Sequence, residues 1–302
     1  MSSHSSVKRN IAIAGQGAIG SLFAHYWRDF KPMILTRSQH ATCKNLDLLD
    51  GSRITLNAPL HSIRCPSAFP LDAIIVPVKC YQVAELAPLL SPWMSNNTAI
   101  VLIQNGMGGG DILADMYPTN PLYVGTTTDA VYKQDADSYR ITAVGRLDIG
   151  PFNNALNASQ SVNWLSAFAT AHPNANVADD IRLALYRKLA INAVINPLTA
   201  LLNIKNGELT QYPEQLTQAK TEVFAVYEAL QIALHTTELE QTIDKVIEST
   251  SDNYSSMQQD VFYQRETEIE GVLGYLVVRA QQHHIHIPFL TSLYQKLVAL
   301  KP

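Results

Sequence analysis

A glycine-rich turn near the start of the chain constrains its fold more than any other feature. The apolar run at residues 10–14 leads directly into the turn, and a helix-like run at residues 21–27 follows it. The turn consists of Gly15, Gln16, Gly17, Ala18, Ile19 and Gly20. A G-x-G-x-x-G pattern between a strand and a helix is typical of a βαβ unit that binds a dinucleotide pyrophosphate at the helix N-terminus. We therefore expect a parallel sheet with a dinucleotide site at this turn, and a purely structural glycine turn is the alternative.

The residue that ends the second predicted strand bears on the choice of dinucleotide. This strand, residues 32–36, runs into Arg37. An NAD-specific site usually has an Asp or Glu here, which accepts hydrogen bonds from the ribose hydroxyls. A guanidinium instead pairs with a 2′-phosphate and stacks on the adenine face. Arg37 therefore favours NADP(H), and an ordinary surface arginine is the alternative.

Two further buried strands carry polar residues at their carboxyl ends, where ligands bind in open α/β sheets. The strand at residues 72–79 is predicted to end or bulge at Pro77, because proline has no N–H to donate to a strand ladder. We interpret Lys79 as a phosphate or ribose contact, against a solvated lysine. The strand predicted at residues 98–103 leads to Asn105 and a glycine-rich run. Such a run lets the backbone pass close to a ligand, so Asn105 is interpreted as a ribose or substrate contact or, equally, as a helix-capping residue.

The alternation of these elements predicts an α/β fold with a Rossmann-type, doubly wound N-terminal sheet. Residues 44–70 are predicted to form a small β excursion. The segments after residue 120 predict an antiparallel extension of the sheet. Its strands are predicted at residues 122–128, 139–144, 146–149 and 175–177, with a helix at 161–171.

From residue 179 onward glycines become rare and helical patterns dominate, which predicts an all-helical C-terminal domain. Helices are predicted at residues 181–196, 210–236, 239–249, 253–271 and after Pro288. Pro197 is expected to end or kink the first. Ser255 or Ser256 is expected to cap the fourth. We divide the chain into an NADP-binding domain, residues 1–178, and a substrate and catalytic domain, residues 179–302, with a cleft between them.

The helix around residues 185–197 carries an unusual polar row. Lys188, Asn192 and Asn196 are spaced i, i+4 and i+8 among apolar residues, so they lie on one helical face. A buried ammonium is costly unless it is paired, and the pKa of a lysine shifts easily, which suits proton transfer. The row predicts the acid end of an active site, and a solvated helix edge is the alternative.

Charge, hydropathy and cysteine content exclude several classes of function. The net charge of -4 argues against a nucleic-acid partner. No apolar run is long enough to span a bilayer, and residues 1–9 lack the apolar core of a signal peptide. The three cysteines are Cys43, Cys65 and Cys80. They form neither a CxxC nor a disulfide framework, which is typical of a reducing cytoplasm. The histidines of residues 283–288 favour a surface loop over a metal site, so no metal is expected.

Eight segments, in the right order over nearly the whole chain, resemble the ketopantoate reductase (2-dehydropantoate 2-reductase) family. The matching segments are GQGAIG (15–20), VKCYQV (78–83), QNGMG (104–108), GTTT (125–128), RKLAINAVINPLTA (187–200), NGEL (206–209), SSMQQD (255–260) and TEIEG (267–271). The fifth and seventh segments are specific, whereas the glycine motif is common to many dehydrogenases. The chain departs from the expected pattern at Pro77, so the backbone near Lys79 is expected to differ from that of the family.

The resemblance implies roles for individual residues. Lys188 would be the general acid that protonates the ketone oxygen, and Glu268 would anchor the substrate or orient Lys188. The implied substrate contacts are Asn105, Lys188, Asn192, Asn196, Asn253, Ser256 and Glu268. The implied cofactor contacts beyond the glycine turn are Arg37, Lys79, Gln82 and Asn105. One unbroken helix would hold Ser256 and Glu268 about 18 Å apart along its axis, too far for both to touch one small substrate.

The activity implied by the resemblance is the NADPH-dependent reduction of 2-dehydropantoate to (R)-pantoate, for pantothenate and coenzyme A biosynthesis. The implied partner is a small keto acid, with no nucleic acid and no membrane, and the protein would be a cytoplasmic monomer or homodimer. Two alternatives stay open. One is another NADP-dependent 2-keto or hydroxy acid dehydrogenase of the same architecture. The other is a non-catalytic NADP(H)-binding sensor, against which the Lys188, Asn192, Asn196 and Glu268 set argues.

Overall fold

The computed structural model describes residues 10–38, 42–66, 71–153, 155 and 158–300 of the 302-residue chain. Residues 1–9 and 67–70, which include the polar N-terminal segment and the end of the predicted β excursion, lie outside the described residues. The described residues form two compact units. The first contains the chain up to Gln104 together with Gly109–Ile181, and the second contains Asn105–Gly108 together with the chain from Arg182 onward.

The first unit contains twelve strands among its described residues. They are β1 (Ile11–Ala14), β2 (Met33–Thr36), β3 (Asn45–Asp47), β4 (Arg53–Thr55), β5 (Leu60–Ser62), β6 (Ala73–Val76), β7 (Ala99–Ile103), β8 (Leu122–Thr127), β9 (Ala130–Lys133), β10 (Ser138–Ala143), β11 (Leu147–Pro151) and β12 (Ala175–Val177). Eight of them form one sheet in the order β12-β11-β8-β7-β6-β1-β2-β5. The strands from β8 to β5 are parallel, and β11 pairs antiparallel to β8, so the predicted doubly wound sheet with an antiparallel extension is confirmed. The strands assigned to that extension are corrected: β8 belongs to the parallel part, β12 pairs parallel to β11, and β10 lies in another sheet.

The central strands are apolar because both of their faces are covered. Every residue of β1, β6 and β7 is buried, as expected for parallel strands that pack helices on both sides. β6 ends at Val76, immediately before Pro77, whose missing N–H cannot extend the ladder. The prediction that this strand ends at Pro77 is confirmed.

A second, four-stranded sheet has the order β4-β3-β10-β9. It packs against the first helix through a cluster of Leu22, Leu46, Tyr139 and Ile141. The predicted β excursion therefore divides: β3 and β4 join this small sheet, whereas β5 joins the edge of the large sheet beside β2. β9 was not predicted: it has only four residues, and they are half-buried or exposed.

Ten α-helices lie in the described part of the chain. They are α1 (Ala18–Tyr26), α2 (Val83–Leu90), α3 (Gly109–Met116), α4 (Ala158–Ala171), α5 (Ile181–Leu202), α6 (Pro213–Ala229), α7 (Thr236–Ser249), α8 (Ser256–Phe262), α9 (Tyr275–Gln282) and α10 (Pro288–Val298). The described chain also contains short 3₁₀ turns at Arg28–Phe30, Cys80–Gln82, Ser91–Trp93 and Asn206–Gln211 and a π-helical turn at Glu270–Gly274. A bilayer-spanning segment requires a long apolar helix, and such a helix is absent from the residues that the structure describes.

α5 continues through Pro197 to Leu202, so of the two predicted effects of Pro197, an end or a kink of the helix, the end at residue 196 is wrong. Proline removes the bond to the carbonyl four residues earlier, but the turn beyond it is buried at Leu198 and Ala200. The Thr199 hydroxyl also donates to Ile195 O at 3.0 Å. Packing of the last turn outweighs the lost backbone bond.

The predicted helix over residues 253–271 is also wrong, because α8 stops at Phe262. The chain turns at Gln264, which has a left-handed φ of +52°. Arg265 N then donates to Asp260 O at 2.7 Å and Gln264 N to Val261 O at 3.0 Å, the two bonds of a Schellman motif. Helical structure resumes at Ile269. Ser256 and Glu268 consequently do not share one straight helix, and the 18 Å separation does not apply.

α5, α6 and α9 end in the same way as α8, with one residue in the left-handed conformation. The residues with left-handed backbone are Asn203, Gln231, Gln264 and His284. In each case the next N–H donates to a carbonyl five residues earlier. The predicted helix over residues 210–236 is accordingly shorter than expected and ends at Ala229.

Candidate functional site

The first unit places the glycine-rich turn between β1 and α1. α1 begins at Ala18 with Gly17 as its N-cap, and no side chain caps the helix N-terminus. A Cβ at Gly17 would meet nothing within 4 Å, whereas a Cβ at Gly20 would collide with Gly15 O and press on the Pro77 ring. The turn therefore offers open space and uncapped N–H groups beside a tightly packed helix and strand. Both features fit a pyrophosphate.

Arg37 lies directly after β2, at the carboxyl edge of the sheet. Its side chain is 58% exposed, and its Nη1 lies 3.5 Å from Glu85 Oε2. Glu85, in the first turn of α2, was not among the predicted site residues. An exposed guanidinium held by one exposed carboxylate is free to exchange that partner for a phosphate, because exposed ion pairs are weak.

Lys79 is the N-cap, and Gln82 the last residue, of the short 3₁₀ turn that precedes α2. Gln82 Oε1 accepts a hydrogen bond from Lys79 N at 3.2 Å. Both side chains are half-buried and follow β6 at its carboxyl end. Their position therefore fits a cofactor contact, and Gln82 also stabilises the local turn.

The second unit places Lys188, Asn192 and Asn196 in consecutive turns of α5. All three are half-buried, whereas Leu189, Ala193 and other neighbours are buried. The polar row is thus partly accessible on a helix whose remaining faces pack into the core. This accessibility fits a row that contacts a small polar molecule.

Asn105 belongs to the second unit because the segment Asn105–Gly108 pairs with the start of the π-helical turn. Asn105 Nδ2 donates to Glu268 Oε2 at 3.3 Å, and Met107 N donates to Gly271 O at 2.8 Å. Glu268 is only 6% exposed. π-Helical turns are frequent at functional sites, and this one begins two residues after Glu268. The structure therefore brings together two of the predicted site residues.

Of the two serines at the start of α8, only one caps the helix. Ser255 is the N-cap, and its Oγ accepts from Gln258 N at 3.1 Å. The same hydroxyl lies 2.7 Å from Thr199 Oγ1 on α5, and Thr199 also contacts Asn196 O at 3.1 Å. Ser256 and Asn253 are exposed. The Ser255–Thr199 pair therefore ties the residue beside Ser256 to the α5 turn that follows Asn196.

Sequence reasoning did not single out Thr199 as a link, although it lies within the specific RKLAINAVINPLTA segment. Its position three residues after Asn196 was the available signal. The histidines of residues 283–288 lie in the turn after α9, where His283, His284 and His286 are exposed. In the described ranges, no group of three His, Cys, Asp or Glu side chains has the geometry of a metal site.

The chemistry of the second unit's polar residues suits a small oxyanion. A lysine ammonium can donate a proton or hold a developing negative charge on oxygen. Amides and hydroxyls, such as those of Asn192, Asn196 and Ser256, donate hydrogen bonds to carboxylates. Glu268 adds a buried acceptor that Asn105 holds in place.

Comparison with known proteins agrees with this arrangement. The model of the ketopantoate reductase PanE/ApbA family matches residues 11–154, and that of its C-terminal region matches residues 180–301. A 2-dehydropantoate 2-reductase from Vibrio cholerae is 34% identical over 302 residues, covering 97% of this chain and 98% of that protein.

Solved structures show the same architecture. A probable 2-dehydropantoate 2-reductase from Bacillus subtilis has a TM-score of 0.83 at 26% identity, covering 97% of this chain and 100% of that one. A D-mandelate dehydrogenase solved with NADH and anilino(oxo)acetate has a TM-score of 0.85 at 20% identity, covering 96% and 98% of the two chains, and this likeness concerns the fold. With both family models matched in order and a relative aligned over nearly its whole length, the chain belongs to the ketopantoate reductase PanE/ApbA family.

Proposed function

We propose that this protein reduces 2-dehydropantoate to (R)-pantoate with NADPH, a step of pantothenate and coenzyme A biosynthesis. The observation that carries the proposal is the row of Lys188, Asn192 and Asn196, half-buried on an otherwise packed α5. The name of the Vibrio cholerae relative, 34% identical over nearly the whole chain, supports the same substrate.

In this proposal residues 1–178 form the NADP-binding domain. The glycine turn binds the pyrophosphate through uncapped N–H groups of α1, and Arg37 binds the 2′-phosphate in place of Glu85. Lys79, Gln82 and Asn105 complete the cofactor contacts. When bound, the reduced nicotinamide supplies the hydride that adds to the ketone carbon.

Residues 179–302 form the substrate and catalytic domain. As hydride reaches the ketone carbon, the carbonyl π electrons move to the oxygen, and Lys188 transfers a proton to that oxygen to give the hydroxyl group. A cation aimed at the oxygen stabilises the charge that develops there. Glu268 anchors the substrate or orients Lys188, and Asn105 holds the Glu268 carboxylate through its 3.3 Å hydrogen bond.

Polar groups of the second unit bind the rest of the keto acid. Asn192, Asn196, Asn253 and Ser256 offer amide and hydroxyl groups to its carboxylate and hydroxyl oxygens. Ser256 is exposed at the start of α8, next to the Ser255 cap, which suits this role.

The test is NADPH oxidation, followed by absorbance, with 2-dehydropantoate and a panel of other 2-keto acids. We expect the highest kcat/KM for 2-dehydropantoate. A higher kcat/KM for another keto acid would favour the dehydrogenase alternative. NADPH binding without turnover of any keto acid would favour the sensor alternative. A cytoplasmic location and a monomeric or homodimeric state are also proposed, the latter testable by sedimentation.

A further inference from the structure

Two hydrogen bonds join the glycine-rich turn to residues outside it. Neither partner residue is among the predicted cofactor contacts. Tyr139 Oη donates to Gln16 O at 3.1 Å. Gln16 Nε2 donates to Thr42 O at 2.9 Å. Both bonds involve the residue between the first two glycines of the motif. The turn is therefore restrained at the peptide that precedes Gly17.

Tyr139 is well placed to act as a fixed support. It lies in β10 of the four-stranded sheet, is 5% exposed, and packs with Leu22, Leu46 and Ile141. Burial, and then the nearby Asp137 carboxylate, raise the pKa of Tyr139, so its hydroxyl keeps its proton and remains a donor.

The second bond joins the turn to the same part of the fold. Thr42, whose carbonyl accepts from Gln16, donates its own hydroxyl to Asp137 Oδ1 at 2.6 Å. Lys44 Nζ reaches the same oxygen at 2.6 Å. Asp137 directly precedes β10, so both restraints on the turn lead back to the small sheet.

The direction of the Gln16 carbonyl fixes the direction of the next N–H. A trans peptide is planar, and its C=O and N–H groups point in opposite directions. With Gln16 O bonded to Tyr139, the Gly17 N–H points to the opposite side of that peptide. A glycine turn loses much conformational freedom when a ligand orders it, so a turn that is already ordered binds the ligand more tightly.

We propose that Tyr139 is a positioning residue for the dinucleotide: its hydroxyl orients the Gln16–Gly17 peptide so that the turn is preorganised for the pyrophosphate. The inference rests on the proposed function of the turn and deepens it. It also gives the four-stranded sheet a role, because β10 of that sheet carries the tyrosine that restrains the glycine-rich turn.

The test compares Tyr139→Phe with the wild type in dinucleotide binding. Loss of one neutral hydrogen bond corresponds to about a 2- to 10-fold rise in Kd, and we expect a rise in this range for NADPH. The Kd for NADH should rise by the same factor, because the pyrophosphate is common to both. At saturating NADPH, kcat and the KM for 2-dehydropantoate should stay unchanged.

Two control variants separate positioning from general destabilisation. Tyr132→Phe makes the same change on β9, at a tyrosine that is 49% exposed, and should leave both Kd values unchanged. Ile141→Val removes one methylene from the Tyr139 cluster and should lower the unfolding midpoint without changing Kd. The unfolding midpoint of each variant without dinucleotide confirms that binding is measured on folded protein.

Three outcomes would overturn the proposal: an unchanged NADPH Kd in Tyr139→Phe, an effect on NADPH that NADH does not share, or an equal effect from Ile141→Val. The binding measurement does not depend on turnover. If the wild type reduced no keto acid, the proposed substrate would fail while the dinucleotide Kd values still decided the role of Tyr139. If the wild type bound no dinucleotide, both proposals would fail together.

Discussion

Asn105 Nδ2 donates a hydrogen bond to Glu268 Oε2 at 3.3 Å, across 163 positions of the sequence. The contact joins the turn that follows β7 to the π-helical turn before α9. It places a neutral donor against a buried carboxylate, and buried charges require such partners. Asn105 therefore acts together with Glu268 and not as an isolated loop amide.

Removal of the Asn105 amide should leave the Glu268 carboxylate without this donor and so weaken the role of Glu268 in the reaction. We expect Asn105→Ala to lower kcat/KM by about 10-fold or more, the usual effect of losing a hydrogen bond to a charged group. Because both residues act at one carboxylate, Asn105→Ala should cost less in a Glu268→Gln background, and a double-mutant cycle measures this coupling. Glu266→Gln, at an exposed position two residues away, is the control. Strictly additive effects would refute the coupling.

Gly106 is required by the close approach of two backbones. Its φ is +78°, and a Cβ there would lie 2.8 Å from Gly271 O. Gly51 has a similar φ of +84° but open space around it. Gly51→Ala should cost only the left-handed strain of about 1–2 kcal/mol in unfolding free energy, and Gly106→Ala should cost clearly more. Urea denaturation measures both, and equal losses would contradict the backbone contact.

Lys188 is expected to act on the chemical step. Lys188→Ala should lower kcat by about 10²- to 10⁴-fold, the usual contribution of a general acid, with the NADPH Kd changed by less than about twofold. Arg187→Ala removes the neighbouring, exposed cation from another face of α5 and should keep most of the turnover. Steady-state kinetics and NADPH titration report the two quantities. Near-normal turnover in Lys188→Ala would exclude this lysine as the acid.

Arg37 should determine the cofactor preference. Arg37→Asp places a negative charge where the 2′-phosphate is proposed to bind, so the KM for NADPH should rise about 10- to 100-fold while that for NADH changes little. The control is Arg28→Asp, at an exposed arginine that begins the 3₁₀ turn after α1. The ratio of kcat/KM for the two cofactors is the measurement, and an unchanged ratio would contradict the role.

A buried Asp129–His172 pair should make the first unit sensitive to acid. Both side chains are fully buried, with His172 Nε2 at 2.9 Å from Asp129 Oδ2, and Asn174 N donates to His172 Nδ1. The imidazole is therefore assigned as neutral, with its proton on Nε2. Burial raises the pKa of the Asp129 carboxyl, but hydrogen bonds, chiefly from His172 and Thr127, outweigh it and hold the pKa below its usual value.

A carboxyl with a lowered native pKa stabilises the fold above the unfolded pKa of about 4, and this stability is lost as pH falls through the native pKa. Asp129→Asn should therefore lower the unfolding free energy at neutral pH by about 1–3 kcal/mol and make its decline below about pH 4 shallower. Asp115→Asn, at an exposed position of α3, is the control. Chemical denaturation across pH provides the measurement, and a constant difference between variant and wild type at all pH values would contradict the assignment.

The sequence by itself determined the features that depend on local sterics and periodicity. Side-chain spacing predicted three features: the strand, glycine turn and helix at residues 10–26, the buried runs of β1, β6 and β7, and the polar face of α5. β6 ends before Pro77 because proline has no N–H to extend a strand ladder. A Cβ at Gly20 would lie 3.3 Å from the Pro77 ring, so glycine at this position leaves room for the proline.

Helix ends were decided by the tertiary structure. Gln231, Gln264 and His284 adopt the left-handed backbone that usually indicates glycine, so no local sequence signal marked the ends of α6, α8 and α9. Asn203, after α5, is the exception, because asparagine also occurs at this position. Such a residue costs about 1–2 kcal/mol, and hydrogen bonds and packing of the chain that follows compensate for it. Pro197 shows the converse, because burial of the next turn carries α5 past a residue that usually ends a helix.

The same holds for the candidate site. Lys188, Asn192 and Asn196 could be grouped from their spacing because a helix brings residues four apart together. The pairs Asn105–Glu268, Thr199–Ser255 and Tyr139–Gln16 join residues far apart in sequence, and only the packing of separate elements brings them within hydrogen-bond distance. Local sequence thus determined which residues share a face, and the tertiary fold decided which faces meet.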